Sequence, residues 1–574
     1  MFKLVRFLRD YKKECAVGPL FKFLEACFEL VVPLVMAGII DTGIKNADTA
    51  YIYKMGGLMV FLGLLGLACS LTAQYFAAKA SMGFGTALRT ALFRHVADLS
   101  YSELDEIGTP SLITRLTGDI NQAQAGVNLV LRLFLRSPFI VVGAIVMAFF
   151  VDVKLAVIFL IATPLIGAVI YFVMAGSVPY YKKIQAVMDR ISLLTRENLT
   201  GVRVIRAFSK QKEEVDHFKT TCAALMDEQF LAGKIAALLN PATYAVVNAA
   251  VIAIVWGGGF QVNEGRLTQG EVIALVNYMS QILLALVALA NLIVVFTKAS
   301  ASAVRINEVF EILPGVSDSG RAVSALSDAP RVVFDNVSFS YKKAEAAALS
   351  NLSFAVPAGS TVGVIGGTGS GKSTLVNLLA RFYEVSAGRV LIDGADVRDY
   401  PLARLRQKIG IVPQKAVLFK GTIRDNMRWA KQDASDAEIE QALKIAQGWD
   451  FVASRPAGLD TVIAQGGKNL SGGQKQRLTI ARALVGRPEI PILDDSASAL
   501  DFATDARLRK AIKNETKGMT VFLVSQRVST LRNADFIVVL DDGKAVGIGR
   551  HDELFENCSV YREICLSQLE KEEA

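Results

Sequence analysis

The first 300 residues alternate long apolar stretches with polar ones, whereas the remainder has the mixed pattern of a soluble domain. Several apolar stretches approach or reach the roughly 20 residues that a helix needs to span a bilayer. They run over about 17–40, 55–78, 131–151, 154–176, 241–261 and 272–296. The first and third stretches contain charged residues, and they count as spans partly because the alternation of short and long loops requires them. The sequence therefore predicts a membrane all-α domain with six transmembrane helices over residues 1–310.

The connections between these spans are alternately short and long. Residues 79–130 and 177–240 are long, polar and helix-forming, whereas 41–54, the turn at Asp152 and 262–271 are short. The loop 177–240 carries ten Lys or Arg residues, and the clear basic residues of the short loops are Lys45, Lys154 and Arg266. Because Lys and Arg accumulate in cytoplasmic loops, we expect the long loops and both termini to lie inside the cell.

Composition supports a protein embedded in the lipid bilayer. The chain is 52% hydrophobic and only 20% charged, which is too apolar for a soluble protein. Its net charge of +8 could indicate nucleic-acid binding. However, the basic residues lie beside membrane segments, and the usual excess of Lys and Arg in cytoplasmic loops explains them better. We therefore expect no nucleic-acid partner and a multi-pass protein of a bacterial plasma membrane.

Charged residues within the predicted spans are candidates for substrate contact. Lys22, Glu25 and Glu29 share one face of the first span, and Arg132 and Arg136 lie one turn apart at the start of the third. Alternatively, all five lie near the cytoplasmic end and either pair or extend into the interface. Glu29 is the deepest, and it is the best candidate for a substrate-cavity residue.

Residues 311–330 are small and turn-rich, which predicts a linker, and 331–574 form the second domain. There, the apolar strand 361–365 runs into a G-x-x-x-x-G-K-S motif followed by a helix. This is the P-loop pattern, in which backbone N–H groups and a helix N-terminus bind phosphates. Lys372 is expected to reach the β- and γ-phosphates, and Ser373 to bind Mg²⁺. The predicted ATP-binding residues here are Gly366, Gly367, Thr368, Gly369, Ser370, Gly371, Lys372, Ser373 and Thr374.

A second apolar strand, 490–493, ends at Asp494, which is placed to hold Mg²⁺. Pro491 is unexpected within this strand, since proline removes a hydrogen-bond donor from a central strand. It could mark the residue where pairing begins. The second domain is therefore expected to be an α/β P-loop nucleotide-binding domain with ATP and Mg²⁺ as its cofactors.

A third motif follows the P-loop, and it consists of Leu470, Ser471, Gly472, Gly473 and Gln474. Together with the P-loop and Asp494, it makes essentially the whole chain resemble an ATP-binding cassette (ABC) transporter of the exporter type. The resemblance implies a head-to-tail dimer of cassettes, in which each ATP lies between one P-loop and the other subunit's signature motif. Ser471 and Gly473 would then contact the γ-phosphate of the partner's ATP.

The resemblance also implies roles for residues outside these motifs. Tyr341 would stack on adenine, and Gln414 would contact Mg²⁺ and the membrane domain. The loop 498–501, which includes Asp501, would cross between the two cassettes. Segments 98–118 and 196–210 are similar to the cytoplasmic coupling regions that dock onto cassettes in this family.

Two residues depart from the family pattern at the catalytic positions. Asp495 stands where a cassette normally has glutamate, and Gln526 stands where it has the switch histidine. An aspartate is one methylene shorter and is withdrawn from the attacking water, while glutamine cannot take up a proton. These changes could be harmless drift. However, both affect the same site while the P-loop, Asp494 and the signature are intact, which favours selective degeneration.

We therefore predict one subunit of a heterodimeric exporter of amphiphilic drugs, lipids or peptides. Its partner would be a second half-transporter with an intact catalytic glutamate and switch histidine. The site built on this chain's P-loop would turn over slowly, and the site built on its signature would hydrolyse ATP normally. The alternatives are a siderophore-like importer subunit with an exporter fold, and a regulatory or channel-type subunit that ATP gates.

Overall fold

The computed structural model describes residues 2–318, 329–342, 344–496, 500–516 and 518–572. These residues form two compact units. The first comprises Met1–Val96 and Pro110–Glu311, and the second comprises Ala97–Thr109 and Ile312–Ala574. The segment 97–109 thus packs with the second unit although it lies between two predicted spans. Residues 319–328 of the predicted linker lie outside the described residues.

Within the described residues, six helical segments are long and apolar enough to cross a membrane: Lys3–Ile44, Thr49–Asp98, Thr109–Val151, Val153–Thr200, Gln211–Asn263 and Gln269–Glu311. Each contains one predicted span, which confirms the membrane domain. The helices continue far beyond the apolar stretches. In chain order they are α1 Lys12–Gly38, α2 Thr49–Asp98, α3 Tyr101–Ile107, α4 Thr109–Thr114, α5 Ile120–Leu133, α6 Arg136–Val151, α7 Val153–Thr200, α8 Val202–Ala207, α9 Gln211–Ala237, α10 Leu239–Asn263 and α11 Gln269–Glu311. A 3₁₀ helix, Phe2–Tyr11, precedes α1, and wider π-type turns occur at Ile39–Ile44 and Arg115–Asp119.

Small side chains pack the helices of the first unit together. One apolar cluster of this unit includes the buried alanines Ala37, Ala144, Ala148, Ala156, Ala162, Ala250 and Ala274. Small residues let helix backbones approach closely, which is how membrane helices associate. Tyr278 is a large exception that is fully buried, and its hydroxyl donates to the Leu30 carbonyl at 2.8 Å. This hydrogen bond joins α11 to α1 and gives the buried Tyr278 hydroxyl an acceptor.

The second unit is an α/β domain. Its strands are β1 Val332–Phe339, β2 Leu349–Val356, β3 Thr361–Gly366, β4 Ala387–Ile392, β5 Ala395–Asp396, β6 Ile409–Val412, β7 Gly421–Thr422, β8 Val462–Ile463, β9 Ile490–Asp494, β10 Val521–Val524, β11 Phe536–Asp541 and β12 Lys544–Gly549. The described residues form a four-stranded sheet, β2-β1-β4-β5, a six-stranded sheet, β12-β11-β3-β10-β9-β6, and the pair β7-β8. Strands β11, β3, β10, β9 and β6 are mutually parallel.

The remaining helices lie around these sheets. They are α12 Lys372–Leu379, α13 Leu402–Lys408, α14 Ile423–Arg428, α15 Asp436–Ile445, α16 Trp449–Ala453, α17 Gly472–Val485, α18 Phe502–Glu515, α19 Val528–Leu531, α20 His551–Asn557 and α21 Ser559–Glu572. Ligands of parallel sheets bind beyond the carboxyl ends of the strands. Strands β3 and β9 are separated only by β10, so the residues after them meet at one edge.

Pro491 lies opposite Gly410 of β6, and the pairing of β9 with β10 begins one residue later, at Ile492. The proline therefore does not interrupt the ladder with β10. The pairing of β9 with β6 already begins at Ile490, so the proline precedes the start of pairing only on the β10 side.

Helix α3 is attached to the second unit through a buried carboxylate. The side chain of Glu103 is almost completely buried and accepts from the Gly315 backbone N–H at 3.2 Å and from Lys342 Nζ at 3.1 Å. It also accepts from Ser100, whose side chain caps this helix. Burial acts to raise the pKa of Glu103, but the hydrogen bonds from Ser100 and Lys342 outweigh it and hold that pKa below its usual range.

Candidate nucleotide-binding site

The P-loop joins β3 to α12 in the conformation that phosphate binding requires. Gly369 and Gly371 have φ angles of +85° and +96°, in the region that favours glycine. A Cβ at Gly371 would also lie 2.7 Å from the Ala348 carbonyl oxygen, so a larger residue would not fit. Helix α12 begins at the next residue, Lys372. Its N-terminal N–H groups and dipole therefore provide a site for an anion.

Lys372 lies over this loop in a buried position. Its Nζ donates to the carbonyl of Gly366 at 2.9 Å and to that of Gly367 at 2.5 Å. Burial lowers the pKa of Lys372, while the negative charges of Asp495 and Asp494 act in the opposite direction. The ammonium thus lies between a phosphate-binding loop and two carboxylates, as a residue that contacts a nucleotide phosphate should.

The two carboxylates follow one another at the end of β9 but have different environments. Asp494 is the last residue of the strand and is buried. Burial raises its pKa, although a hydrogen bond with Ser373 partly offsets this. Asp495 has a φ angle of +46°, which is uncommon for a residue other than glycine, and its N–H donates to the Val524 carbonyl at 2.9 Å. Strained backbone of this kind concentrates at functional sites.

A cavity of about 310 Å³ brings most of the predicted ATP-site residues together. Its lining residues are Tyr341, Ala348, Thr368, Gly369, Gly371, Lys372, Ser373, Thr374, Gln414, Asp494, Asp495 and Gln526. Across it, Gln414 Nε2 donates to Asp495 Oδ2 at 3.3 Å. Both departures from the family pattern, Asp495 and Gln526, therefore lie on the wall of the cavity that holds Lys372.

Three details of this cavity differ from what the motifs predict. The Tyr341 hydroxyl lies 3.0 Å from Thr374 Oγ1, so the ring is tied to the P-loop helix, and its stacking on adenine stays a prediction. Ala348 lines the cavity but was not predicted, because a single alanine ahead of a strand carries no motif. Ser370 is buried within the loop and is not among the lining residues.

The signature motif lies at the start of α17 and not on this cavity. Ser471 caps the helix: its Oγ accepts from the Gln474 backbone N–H at 3.3 Å, and the Gln474 Oε1 accepts from the Ser471 N–H at 3.1 Å. Leu470 is buried and anchors the turn, whereas Ser471 and Gly472 are exposed. The motif therefore presents the positive end of a helix to the outside of this domain.

Asp501, the predicted cross-site residue, caps the helix α18. It accepts from the Thr504 backbone N–H and from the Thr504 hydroxyl, each at 2.8 Å. These bonds hold the pKa of Asp501 below its usual range. Ser498 and Ala499 of the same predicted loop lie outside the described residues.

Comparisons with known proteins identify the family. Residues 16–286 match the model of the ABC transporter transmembrane region, and residues 349–498 match the ABC transporter model. Over 98% of its length the chain is 36% identical to an uncharacterised ABC transporter ATP-binding protein of Mycobacterium tuberculosis, 97% of which is covered. The chain belongs to the ABC transporter family.

Two further similarities concern the type of ABC transporter. The chain is 32% identical to the putative multidrug export ATP-binding/permease protein YgaD of Bacillus subtilis, over 98% of each protein. It is also similar to the structure of a bacterial Atm1-family ABC exporter with ATP bound, with a TM-score of 0.81 and 25% identity. That match covers 97% of this chain and 98% of the other. The predicted exporter fold, with membrane and ATP-binding domains fused in one multi-pass chain, is confirmed.

The residues of the exporter's cavity fit a Mg²⁺ ion bound together with ATP. The Ser373 hydroxyl and the Asp494 carboxylate line the same cavity, where Ser373 acts to lower the pKa of Asp494, and the Gln414 amide lies on the same cavity. Mg²⁺ prefers oxygen ligands and is usually held by one or two carboxylates together with phosphates. A bound ion would supply positive charge beside the phosphates, and Ser373, Gln414 and Asp494 would hold it.

In the membrane domain, the structure pairs four of the five predicted charges with one another, whereas Arg132 donates to Gln74 Oε1 at 3.1 Å. Arg136 donates to Glu29 at 2.6 Å and lies 3.8 Å from Glu25. Lys22 donates to Glu25 at 2.6 Å. The Glu29 side chain is the most exposed of the four, at 39%. These four residues therefore pair with one another, which was the alternative to substrate contact. A role of Glu29 in substrate contact stays a prediction. Gln281 of α11 donates to the Glu29 carbonyl at 3.3 Å, which is an interhelical bond.

Replacing Asp494 with asparagine should stabilise the protein without nucleotide and abolish its stabilisation by Mg·ATP. Because burial raises the pKa of Asp494, its ionised form is disfavoured in the fold, and this cost is present in full above the raised pKa. Removing the charge should therefore raise the melting temperature at neutral pH. Thermal unfolding with and without Mg·ATP measures both effects. Asp541→Asn, at an exposed position, should change neither. A lower melting temperature for Asp494→Asn would contradict this prediction.

Proposed function

We propose that this chain is one half of a heterodimeric ATP-driven exporter that moves amphiphilic drugs, lipids or peptides. One observation carries the proposal: the nucleotide cavity combines intact phosphate and Mg²⁺ ligands with altered catalytic residues. Lys372, Ser373 and Asp494 are in place, whereas Asp495 and Gln526 occupy the positions of the family's glutamate and histidine. The similarity to a putative multidrug export protein supports the substrate class.

The altered residues would let the cavity bind ATP but hydrolyse it slowly. A general base must lie within hydrogen-bond reach of the attacking water, and such assistance is worth about 10²–10⁴-fold. The Asp495 carboxylate is one methylene shorter than glutamate, and it contacts the Gln414 amide. Gln526 can donate a hydrogen bond to a phosphate, but it cannot accept the proton of the attacking water. The retained ATP would hold the two subunits together between cycles.

Two surfaces of the chain support assembly with a second subunit. The signature motif presents Ser471 and Gly472 at an exposed helix N-terminus, where it would complete the partner's ATP site. In addition, α8 has no buried residue, and Val204 and Phe208 are 61% and 72% exposed. We infer that a second subunit covers these two apolar side chains. A homodimer would contain two slow sites, so the partner should be a different chain.

The ATPase activity of the chain purified alone tests this proposal. Because both sites of a homodimer would lack the glutamate and histidine, we expect its turnover to be about 10²-fold below that of the complex with its partner. Lys372→Ala provides the background, since it removes the phosphate-binding ammonium. Turnover by the chain alone that matches the complex and depends on Lys372 would contradict a degenerate site.

A further inference from the structure

The segment 524–528, here called the switch loop, connects β10 to α19 and carries Gln526 on the wall of the nucleotide cavity. Its first half is held by the sheet. The Ser525 N–H donates to the Val364 carbonyl of β3 at 3.1 Å, and the Arg527 N–H donates to Ser525 Oγ at 3.0 Å. The second half leaves the sheet and needs a different support.

That support is the side-chain amide of Gln568, which lies about 40 residues further along the chain on α21. Gln568 Nε2 donates to the Gln526 carbonyl at 2.7 Å, and Gln568 Oε1 accepts from the Val528 N–H at 2.9 Å. One side chain thus holds the two peptide groups on either side of Arg527. Fixing both restricts the rotation of the backbone that directs the Gln526 side chain.

Helix α21 is itself firmly anchored one turn before Gln568. Tyr561 and Cys565 are buried in an apolar cluster that includes Leu531 of α19. The Tyr561 hydroxyl also lies 2.8 Å from His551 Nδ1. Positions 561, 565 and 568 follow the spacing i, i+4, i+7, so they share one face of the helix. The packing of that face places the Gln568 amide against the switch loop.

We propose that Gln568 is a positioning residue of the ATP site, which holds the switch loop so that the Gln526 side chain meets the γ-phosphate. The C-terminal helix would then control how tightly this cassette retains ATP. The proposal goes beyond the heterodimer, because it requires only that the cavity binds ATP, and it holds whether that ATP is hydrolysed or retained.

A double-mutant cycle between positions 568 and 526 tests this role. Gln568→Met keeps the length of the side chain but removes both hydrogen bonds. We expect it to weaken equilibrium binding of radiolabelled Mg·ATP to the full-length chain in detergent by about three- to tenfold, the range of one hydrogen bond. In a Gln526→Ala background, Gln568→Met should have no further effect, because the side chain that it positions is gone.

Ser567→Ala is the matched control on the same helix, since the Ser567 hydroxyl donates only within α21, to the Ile564 carbonyl at 2.9 Å. It should leave ATP binding unchanged. The proposal is overturned if Gln568→Met binds ATP as tightly as the unmodified chain. It is equally overturned if Gln568→Met weakens binding to the same extent in the unmodified chain and in the Gln526→Ala background, because the residue would then act only on the fold.

Discussion

Replacing Gly473 with aspartate should lower ATP hydrolysis by the assembled exporter about 10²–10³-fold, the range for losing one donor to a developing negative charge. Gly473 lies in the first turn of α17, next to the exposed Ser471. In the proposed heterodimer, this helix N-terminus binds the γ-phosphate of the partner's ATP, in the site that we propose hydrolyses ATP normally. A carboxylate there would repel the phosphate and cancel the favourable helix dipole. Steady-state phosphate release by the purified complex measures the effect.

Lys372→Ala in the same chain is the comparison that makes this result informative. It removes the phosphate-binding ammonium only from the site that we propose is slow, so the turnover of the complex should fall by less than about tenfold. Thermal unfolding should show both variants folded, since neither position lies in the apolar core clusters of the second unit. Equal reductions in turnover by Lys372→Ala and Gly473→Asp would contradict the proposal that one ATP site is slow and the other hydrolyses ATP normally.

Restoring glutamate at position 495 and histidine at position 526 should raise the turnover of this chain purified alone by about 10–100-fold. The reason is that Lys372, Ser373 and Asp494 already line the same cavity as the two altered positions. Glutamate would extend the carboxylate by one methylene towards the attacking water, and histidine would add a group that can take up a proton. Part of the 10²–10⁴-fold available from positioned acid–base catalysis should then return.

The matched control for this gain is Asp495→Asn combined with Gln526→His. Asparagine has the same length as aspartate and accepts the left-handed backbone conformation at this position equally well. It lacks a carboxylate, so turnover should stay at the level of the unmodified chain. An equal gain in this control would show that the histidine alone restores activity, and no gain in either variant would show that the site is altered elsewhere.

Most of the nucleotide site can be predicted from the sequence because its parts are short and local. The strand, the glycine turn and the helix of the P-loop follow one another within about twenty residues, so their pattern is visible in the chain. The apolar strand 490–493 directly precedes Asp494 and Asp495, so their position at the end of a strand can be predicted from the sequence. Ala348 could not be predicted in this way, because it lies outside these motifs in the chain and its carbonyl oxygen lies beside Gly371 only in the folded domain.

The apolar pattern predicted the number of spans but not the lengths of the helices. The second span was expected over 55–78, whereas α2 runs from Thr49 to Asp98. Hydropathy marks the part of a helix that lies in lipid. The helix itself continues for as long as its backbone bonds and local propensities allow, and polar residues form helices as readily as many apolar ones.

By itself, the sequence determined the six spans, the α/β domain, the P-loop and the two departures at Asp495 and Gln526. Each is a pattern within one segment, and neighbouring residues of one strand or helix have a fixed spatial relation. Only the tertiary structure decided that Arg136 pairs with Glu29, that Lys342 contacts Glu103, and that Gln568 holds the switch loop. These partners are about 40 to 240 residues apart, and packing, not local spacing, brings them together.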